Sequence, residues 1–164
     1  MSRRPGTGAA TLLALAATLA SPSALAVVSC TASANGVVFG IYNPLNAAPL
    51  NSNGLVAVTC TLLSGAATTV NMTVALSAGS SGSFAARTMR NGAQILNYNL
   101  YWSTAYAQVW GDGTGGSFYG VATLQLTPGN PTQAATGVTY GRVVALQDVG
   151  AGNYTDTIVV TVNY

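Results

Sequence analysis

The 164-residue chain contains no histidine, no lysine and no glutamate. Without histidine it lacks the usual general base and the commonest metal ligand near neutral pH. Its acidic residues are three aspartates, so a paired-carboxylate hydrolase has few groups to draw on. Its five basic residues are arginines, too few for the basic patch that nucleic-acid binding requires. These absences argue against an enzyme and against nucleic-acid binding, and we predict no catalytic residue, metal or cofactor.

Residues 1–26 are predicted to be a secretory signal peptide. Arg3 and Arg4 form its charged start, a short apolar run follows, and Ala24-Leu25-Ala26 gives the small-x-small cleavage pattern. Pro22 ends the apolar run before the roughly 20 residues that a membrane span needs. Cleavage after Ala26 leaves residues 27–164 as one domain with three arginines and three aspartates. The net charge then falls from +2 to zero, and little charge repulsion keeps the copies apart.

The two cysteines are Cys30 and Cys60. In an exported chain an even pair predicts one disulfide. That bond would close a loop of about 30 residues and contribute about 3–4 kcal/mol on the chain-entropy model. Two free buried thiols are the alternative, while a metal site lacks further soft ligands.

After the leader, the sequence alternates apolar and polar residues with the period of strands that bury one face. Stretches rich in glycine, serine, threonine and asparagine separate these runs. The spacing predicts an all-β antiparallel sandwich. The clear strands are Val56–Leu62, Val70–Leu76, Leu96–Trp102 and Ile158–Tyr164, and the weaker ones are Val37–Tyr42, Phe84–Met89, Val121–Leu126 and Tyr140–Val144.

The sequence closes on the apolar run Ile158–Tyr164. An apolar edge strand is a liability, because its free backbone groups invite pairing with another chain. We therefore expect either another strand of this chain or a partner's strand to cover that edge.

An ordered set of motifs runs through the predicted domain and resembles the spore coat protein U domain family, which includes pilins and tip adhesins of archaic chaperone–usher pili in Gram-negative bacteria. The order carries the resemblance better than any single motif does. The motifs are Cys30, Val38-Phe39-Gly40-Ile41-Tyr42-Asn43-Pro44, Val58-Thr59-Cys60, Gly82–Met89, Leu96–Tyr101, Val109-Trp110-Gly111-Asp112-Gly113, Tyr140-Gly141-Arg142 and Ala151–Tyr164.

The resemblance implies an immunoglobulin-like sandwich that lacks its last strand. It further implies a periplasmic chaperone that lends a strand, an usher, and other pilus subunits whose N-terminal extensions later replace that strand. On this interpretation Ile158, Val160 and Val162 line the partner-strand groove, and Tyr164 presents the terminal carboxylate to the chaperone. The alternative is that these residues belong to the core of a complete sandwich. The pilus interpretation also implies secretion through the periplasm to the cell surface, with attachment and biofilm formation as the outcome.

Three features depart from the family pattern. Only Val27-Val28-Ser29 precede Cys30 after the predicted cleavage, whereas a donor segment needs roughly ten residues to span a groove. This favours a tip or non-polymerising position. Ser103 and Tyr106 replace an aspartate and a basic residue, and Val144-Ala145-Leu146-Gln147 replaces Pro-x-Gly-Gln, which suggests a more apolar hairpin.

Trp102 and Tyr106 are candidates for binding a surface or a glycan receptor, because aromatic faces stack on sugars and on apolar surfaces. Strand alternation places Trp102 on the same face as Tyr98 and Leu100, which favours core packing for it. Trp110 is expected to be a core anchor.

Two aspartates have structural interpretations. Asp112 resembles a fragment of a calcium loop, but a lone carboxylate is more typical of a turn residue that caps its own backbone. Asp156 is expected to pair with Arg142 across a hairpin. Two functions remain in view: a pilus subunit or adhesin, and a free-standing coat protein or carbohydrate-binding sandwich.

Overall fold

The computed structural model describes residues 25–164, and the predicted all-β antiparallel sandwich is confirmed. The strands are β1 (Val27–Asn35), β2 (Leu50–Ser64), β3 (Thr68–Leu76), β4 (Arg87–Asn91), β5 (Gln94–Tyr101), β6 (Gly120–Leu126), β7 (Thr132–Val143) and β8 (Val160–Asn163). One short 3-10 turn, Gly79–Ser81, lies between β3 and β4.

The strands form two sheets that enclose the core. The larger sheet has the order β1-β2-β7-β5-β4 and the smaller one the order β6-β3-β8, with antiparallel pairing throughout. The buried side chains come from the alternating positions that the sequence pattern predicts. They include Val56, Val58, Cys60 and Leu62 on β2, Val70, Met72, Val74 and Leu76 on β3, and Leu96, Tyr98 and Leu100 on β5.

The prediction of a strand over Val37–Tyr42 is wrong. This segment pairs with no strand of the described residues, and Gly40 at φ +75° interrupts its extended course. Its side chains still alternate, since Val37 and Phe39 pack on the core while Val38 is exposed. The pattern therefore gives the correct inward face but not the hydrogen-bonded ladder.

Strand β1, by contrast, is not predicted by the sequence pattern. Its small and polar side chains are mostly exposed, so they carry no apolar alternation. It pairs along its length with β2, and the register places Cys30 opposite Cys60. The predicted disulfide joins these two residues, with their Cα atoms 4.0 Å apart, and it links β1 covalently to β2.

The predicted signal peptide, residues 1–26, falls almost wholly outside the described residues. Between Leu25 and Tyr164, no helix is long and apolar enough to cross a membrane.

Trp110 seals the sandwich between β6 and β7, and the prediction that it anchors the core is confirmed. Its side chain is 1% exposed, and its indole N–H donates to the carbonyl of Val74 at 3.0 Å. A Cβ added at Gly137 on β7 would stand 2.9 Å from the Trp110 ring, so only glycine leaves room for it. Trp110 therefore fills the gap between the two sheets on this side.

Candidate functional site: an apolar groove beside the last strand

Away from the Trp110 ring, the two sheets part and leave a groove of about 1010 Å³, whose lining does not include Trp110. One wall is the segment 36–42, and the other is the stretch from Val149 to Val160. Core residues form its floor, among them Leu76, Met89, Leu96, Leu100 and Val143. The groove therefore brings the apolar interior to the surface along one side of the molecule.

The free edge of β8 borders this groove. Ser77 N–H donates to the carbonyl of Val159, and Thr161 is the register partner of Ala75, so the main-chain groups of Val159 and Thr161 point toward β3. Since these groups alternate sides along an antiparallel strand, those of Val160 and Val162 point the other way. No strand of the described residues pairs with that outer edge. Val160 and Val162 thus present peptide groups outward along the edge.

The side chains predicted to line the groove are only partly brought together there. Ile158 and Val160 line it, and Val162 packs against the core beyond its end. Tyr164 is largely exposed, and its hydroxyl accepts a hydrogen bond from the Cys30 N–H at 3.3 Å. Because Cys30 is disulfide-bonded, this contact ties the end of β8 to β1.

The opposite wall presents aromatic side chains to the groove. Phe39 meets the ring of Tyr98 edge to face, with the ring centroids 5.8 Å apart. The Tyr42 hydroxyl donates to the carbonyl of Val144 and accepts from the Gln147 N–H. These contacts hold the segment 36–42 in place although it has no ladder hydrogen bonds of a strand.

One acidic side chain, Asp156, lines the groove. The Tyr98 hydroxyl donates to its Oδ2 at 2.7 Å, and the N–H groups of Ser80 and Thr157 each donate to Oδ1 at 2.9 Å. Burial, and then the hydrogen bond to Asp156, raise the pKa of the Tyr98 hydroxyl above its usual range. The predicted pairing of Asp156 with Arg142 is wrong, because Arg142 instead donates to Asn51 and stacks on Tyr106, 3.6 Å from the ring centroid.

Arg87 is a buried cation behind the groove, and the sequence interpretation missed it. It is 0% exposed and donates to the carbonyls of Ser77 and Trp110 and to the side-chain oxygen of Asn99, at 2.7–3.0 Å. Burial lowers the pKa of its guanidinium. Strand alternation could have located it, since Arg87 shares a face with Met89, an apolar residue that points inward.

Trp102 and Tyr106 are not among the residues that line the groove. Trp102 is 41% exposed and packs edge to face on Trp110, with ring centroids 4.6 Å apart. It therefore covers the core from outside and is not buried within it. Tyr106 meets Tyr101 edge to face, and the guanidinium of Arg142 lies over its ring. The two side chains therefore have separate neighbours.

Two loops clarify other sequence expectations. Asp112 accepts hydrogen bonds from the backbone and hydroxyl of Thr114, so it is the turn residue of its loop, and these bonds lower its pKa. In the loop after β7, Leu146 is 63% exposed at φ +57°, while Gln147 bonds to Asn97. The loop is apolar, as its sequence suggests, but its Leu146 side chain faces solvent.

Comparisons with known proteins agree with the fold and with the order of the motifs. A family model described as the Spore Coat Protein U domain matches residues 14–161. Protein U of Myxococcus xanthus is 36% identical over 135 residues, which cover 77% of this chain and 70% of that protein.

Among solved structures, the chain is similar to one from the CsuC–CsuE chaperone–tip adhesion subunit pre-assembly complex of archaic chaperone-usher Csu pili of Acinetobacter baumannii. The match has a TM-score of 0.52 at 22% identity. It covers 84% of this chain and 40% of the other chain, so it spans less than half of that protein. At this identity the likeness concerns the fold.

Proposed function

Because this chain belongs to the spore coat protein U domain family, we propose that it is a structural subunit or adhesin of a chaperone–usher type pilus on the surface of a Gram-negative bacterium. Its groove accepts an extended strand, first from a periplasmic chaperone and then from another pilus subunit. The usher assembles it, and attachment and biofilm formation are the outcome. The disulfide fits this extracytoplasmic route.

The observation that carries the proposal is the coincidence of the groove with the free edge of β8. Strand addition takes its affinity from main-chain hydrogen bonds and its specificity from pockets for alternate side chains. The free edge of β8 offers main-chain hydrogen bonds through Val160 and Val162, and the apolar floor of the groove offers pockets for side chains. A small-molecule site would not require a row of outward-facing peptide groups.

Expression in the periplasm tests the proposal. Alone, the chain should aggregate or be degraded, because its core is exposed along the groove. Expressed with a chaperone of the archaic chaperone–usher class, it should co-purify as a one-to-one complex. Val160→Lys should abolish the complex, and the matched change Val159→Lys, at the exposed residue directly before β8, should preserve it.

A second variant separates folding from partner binding. We define the self-complemented chain as the full sequence extended after Tyr164 by an Asn-Gly turn, which suits a tight hairpin, and by a strand of alternating valine and threonine. It should be a soluble monomer that no longer binds the chaperone. A stable, soluble monomer of the unextended chain that ignores the chaperone would overturn the proposal.

The exposed face of Trp102 supports a second candidate, a free-standing coat protein or glycan-binding sandwich. In that case the chain would bind cellulose or arrayed glycans, and Trp102→Ala would reduce the binding while Tyr106→Phe would not. If no glycan is retained, the carbohydrate-binding form of this candidate is excluded.

A further inference from the structure

Asp156 is the charged side chain in an otherwise uncharged and largely apolar groove lining. It lies on the same wall as Ile158 and Val160, four and six residues before the outward peptide groups of Val160 and Val162. Along an extended chain, residues two apart face the same side. A strand that pairs with β8 and continues along this wall therefore brings one of its inward side chains opposite the carboxylate.

The carboxylate is held in one position. Tyr98, Ser80 and Thr157 donate to its two oxygens, and a Cβ on Gly79, which lies at φ +68°, would collide with it. All three donors are neutral, and a carboxylate has about four lone-pair sites. One acceptor site thus remains for a further partner, and the cation of Arg87 interacts with the negative charge without bonding to the carboxylate.

The arginines on this side are engaged elsewhere or lie outside the groove lining. Arg87 directs its donors to Ser77, Trp110 and Asn99. Arg90 pairs through its main chain with Thr155 and borders, with Asp156, a smaller depression outside the groove. The hydrogen bonds to Asp156 come from neutral groups, so a cation of the occupant can bond to the carboxylate directly.

We propose that Asp156 selects and registers the strand that fills the groove, and that this strand carries a lysine or arginine at the position facing Asp156 among otherwise apolar inward side chains. This inference rests on the proposed function and names the chemistry of its partner. A charge-assisted hydrogen bond of this kind forms in one register only, since a slip by one residue turns the cation to the other face. An acidic residue at the same position is excluded by repulsion.

The self-complemented chain provides the test. Its added strand is paired residue for residue from Tyr164, and the residue that falls opposite Asp156 is made lysine, methionine or glutamate. Methionine keeps an unbranched side chain without the charge. Each version is also made with Asp156→Asn, which keeps the shape of the side chain and removes its charge.

The lysine version should melt about 4 °C or more above the methionine version, and the glutamate version should melt below both. With Asp156→Asn, the melting temperatures of the lysine and glutamate versions should differ by no more than about 1 °C. A purely structural role of Asp156 would not produce this result. In the chains that keep Asp156, raising the salt concentration should reduce the difference in melting temperature between the lysine and glutamate versions.

The outcomes distinguish the two proposals. If all three strands stabilise the chain equally, the role of Asp156 is refuted, and strand acceptance by the groove stands. Persistence of the lysine preference with Asp156→Asn also refutes it, and points to another acceptor. If none of the strands stabilises the chain, the groove does not accept a strand and the proposed function itself fails.

Discussion

Two parts of this sandwich, the region around Trp110 and the groove, close in different ways. On one side Trp110 fills the gap between β6 and β7, and Gly120 and Gly137 leave space for the indole rings of Trp102 and Trp110. On the other side, β8 and the segment 36–42 stand apart and the core lines an open groove. One side is completed by a side chain of this chain, whereas the other side has the shape and the backbone groups to be completed by a strand.

This difference suggests that the two parts have different roles in the subunit. The closed side, where the buried Trp110 donates to the carbonyl of Val74, carries the stability of the subunit. The groove side is held by the disulfide and the Tyr164–Cys30 contact at one end and by Tyr42 at the other. Variants that weaken the two sides should therefore behave differently.

The largest effect is expected on the closed side. Trp110→Ala should lower the free energy of unfolding by about 3–5 kcal/mol, because it leaves a cavity and an unpaired carbonyl at Val74. Denaturant unfolding of the self-complemented chain measures it. The matched control is Trp102→Ala, which removes a partly exposed ring and should lower the free energy of unfolding by less than half as much. Equal losses would mean that Trp110 does not fill the gap between the sheets.

An intermediate effect is expected where the groove side is fastened. Replacing both Cys30 and Cys60 by serine should cost about 3–4 kcal/mol, since the bond closes a loop with a sequence separation of 30. The measurement is denaturant unfolding, with the reduced wild-type chain as control. Reduction that leaves the unfolding midpoint unchanged would contradict this role.

The smallest effect is expected in the loop that supports Tyr42. Leu146 adopts φ +57°, a conformation that costs a non-glycine residue about 1 kcal/mol or more, and its side chain is exposed. Leu146→Gly should therefore raise the melting temperature by a few degrees. Ala145→Gly, at a position without a positive φ, should lower it. Destabilisation by Leu146→Gly would show that its side chain contributes to packing.

Much of this organisation could be predicted from the sequence. Apolar alternation gives the inward faces of β2, β3 and β5, and the lone cysteine pair gives the disulfide. Alternation does not reveal β1, whose residues are small and polar, nor the failure of Val37–Tyr42 to pair, because pairing depends on a neighbouring strand. The buried network of Arg87 and Asn99 and the placement of Asp156 beside Tyr98 depend on tertiary contacts between distant segments.

Amide hydrogen exchange along β8 tests the central claim most directly. In the self-complemented chain, the amides of Val160 and Val162 should exchange as slowly as that of Thr161. When a flexible glycine-serine segment of the same length replaces the added strand, only Val160 and Val162 should exchange rapidly, while Thr161 stays protected by β3. Equal protection of Val160 and Val162 in both chains would show that the outer edge of β8 does not receive a strand, and would contradict the account.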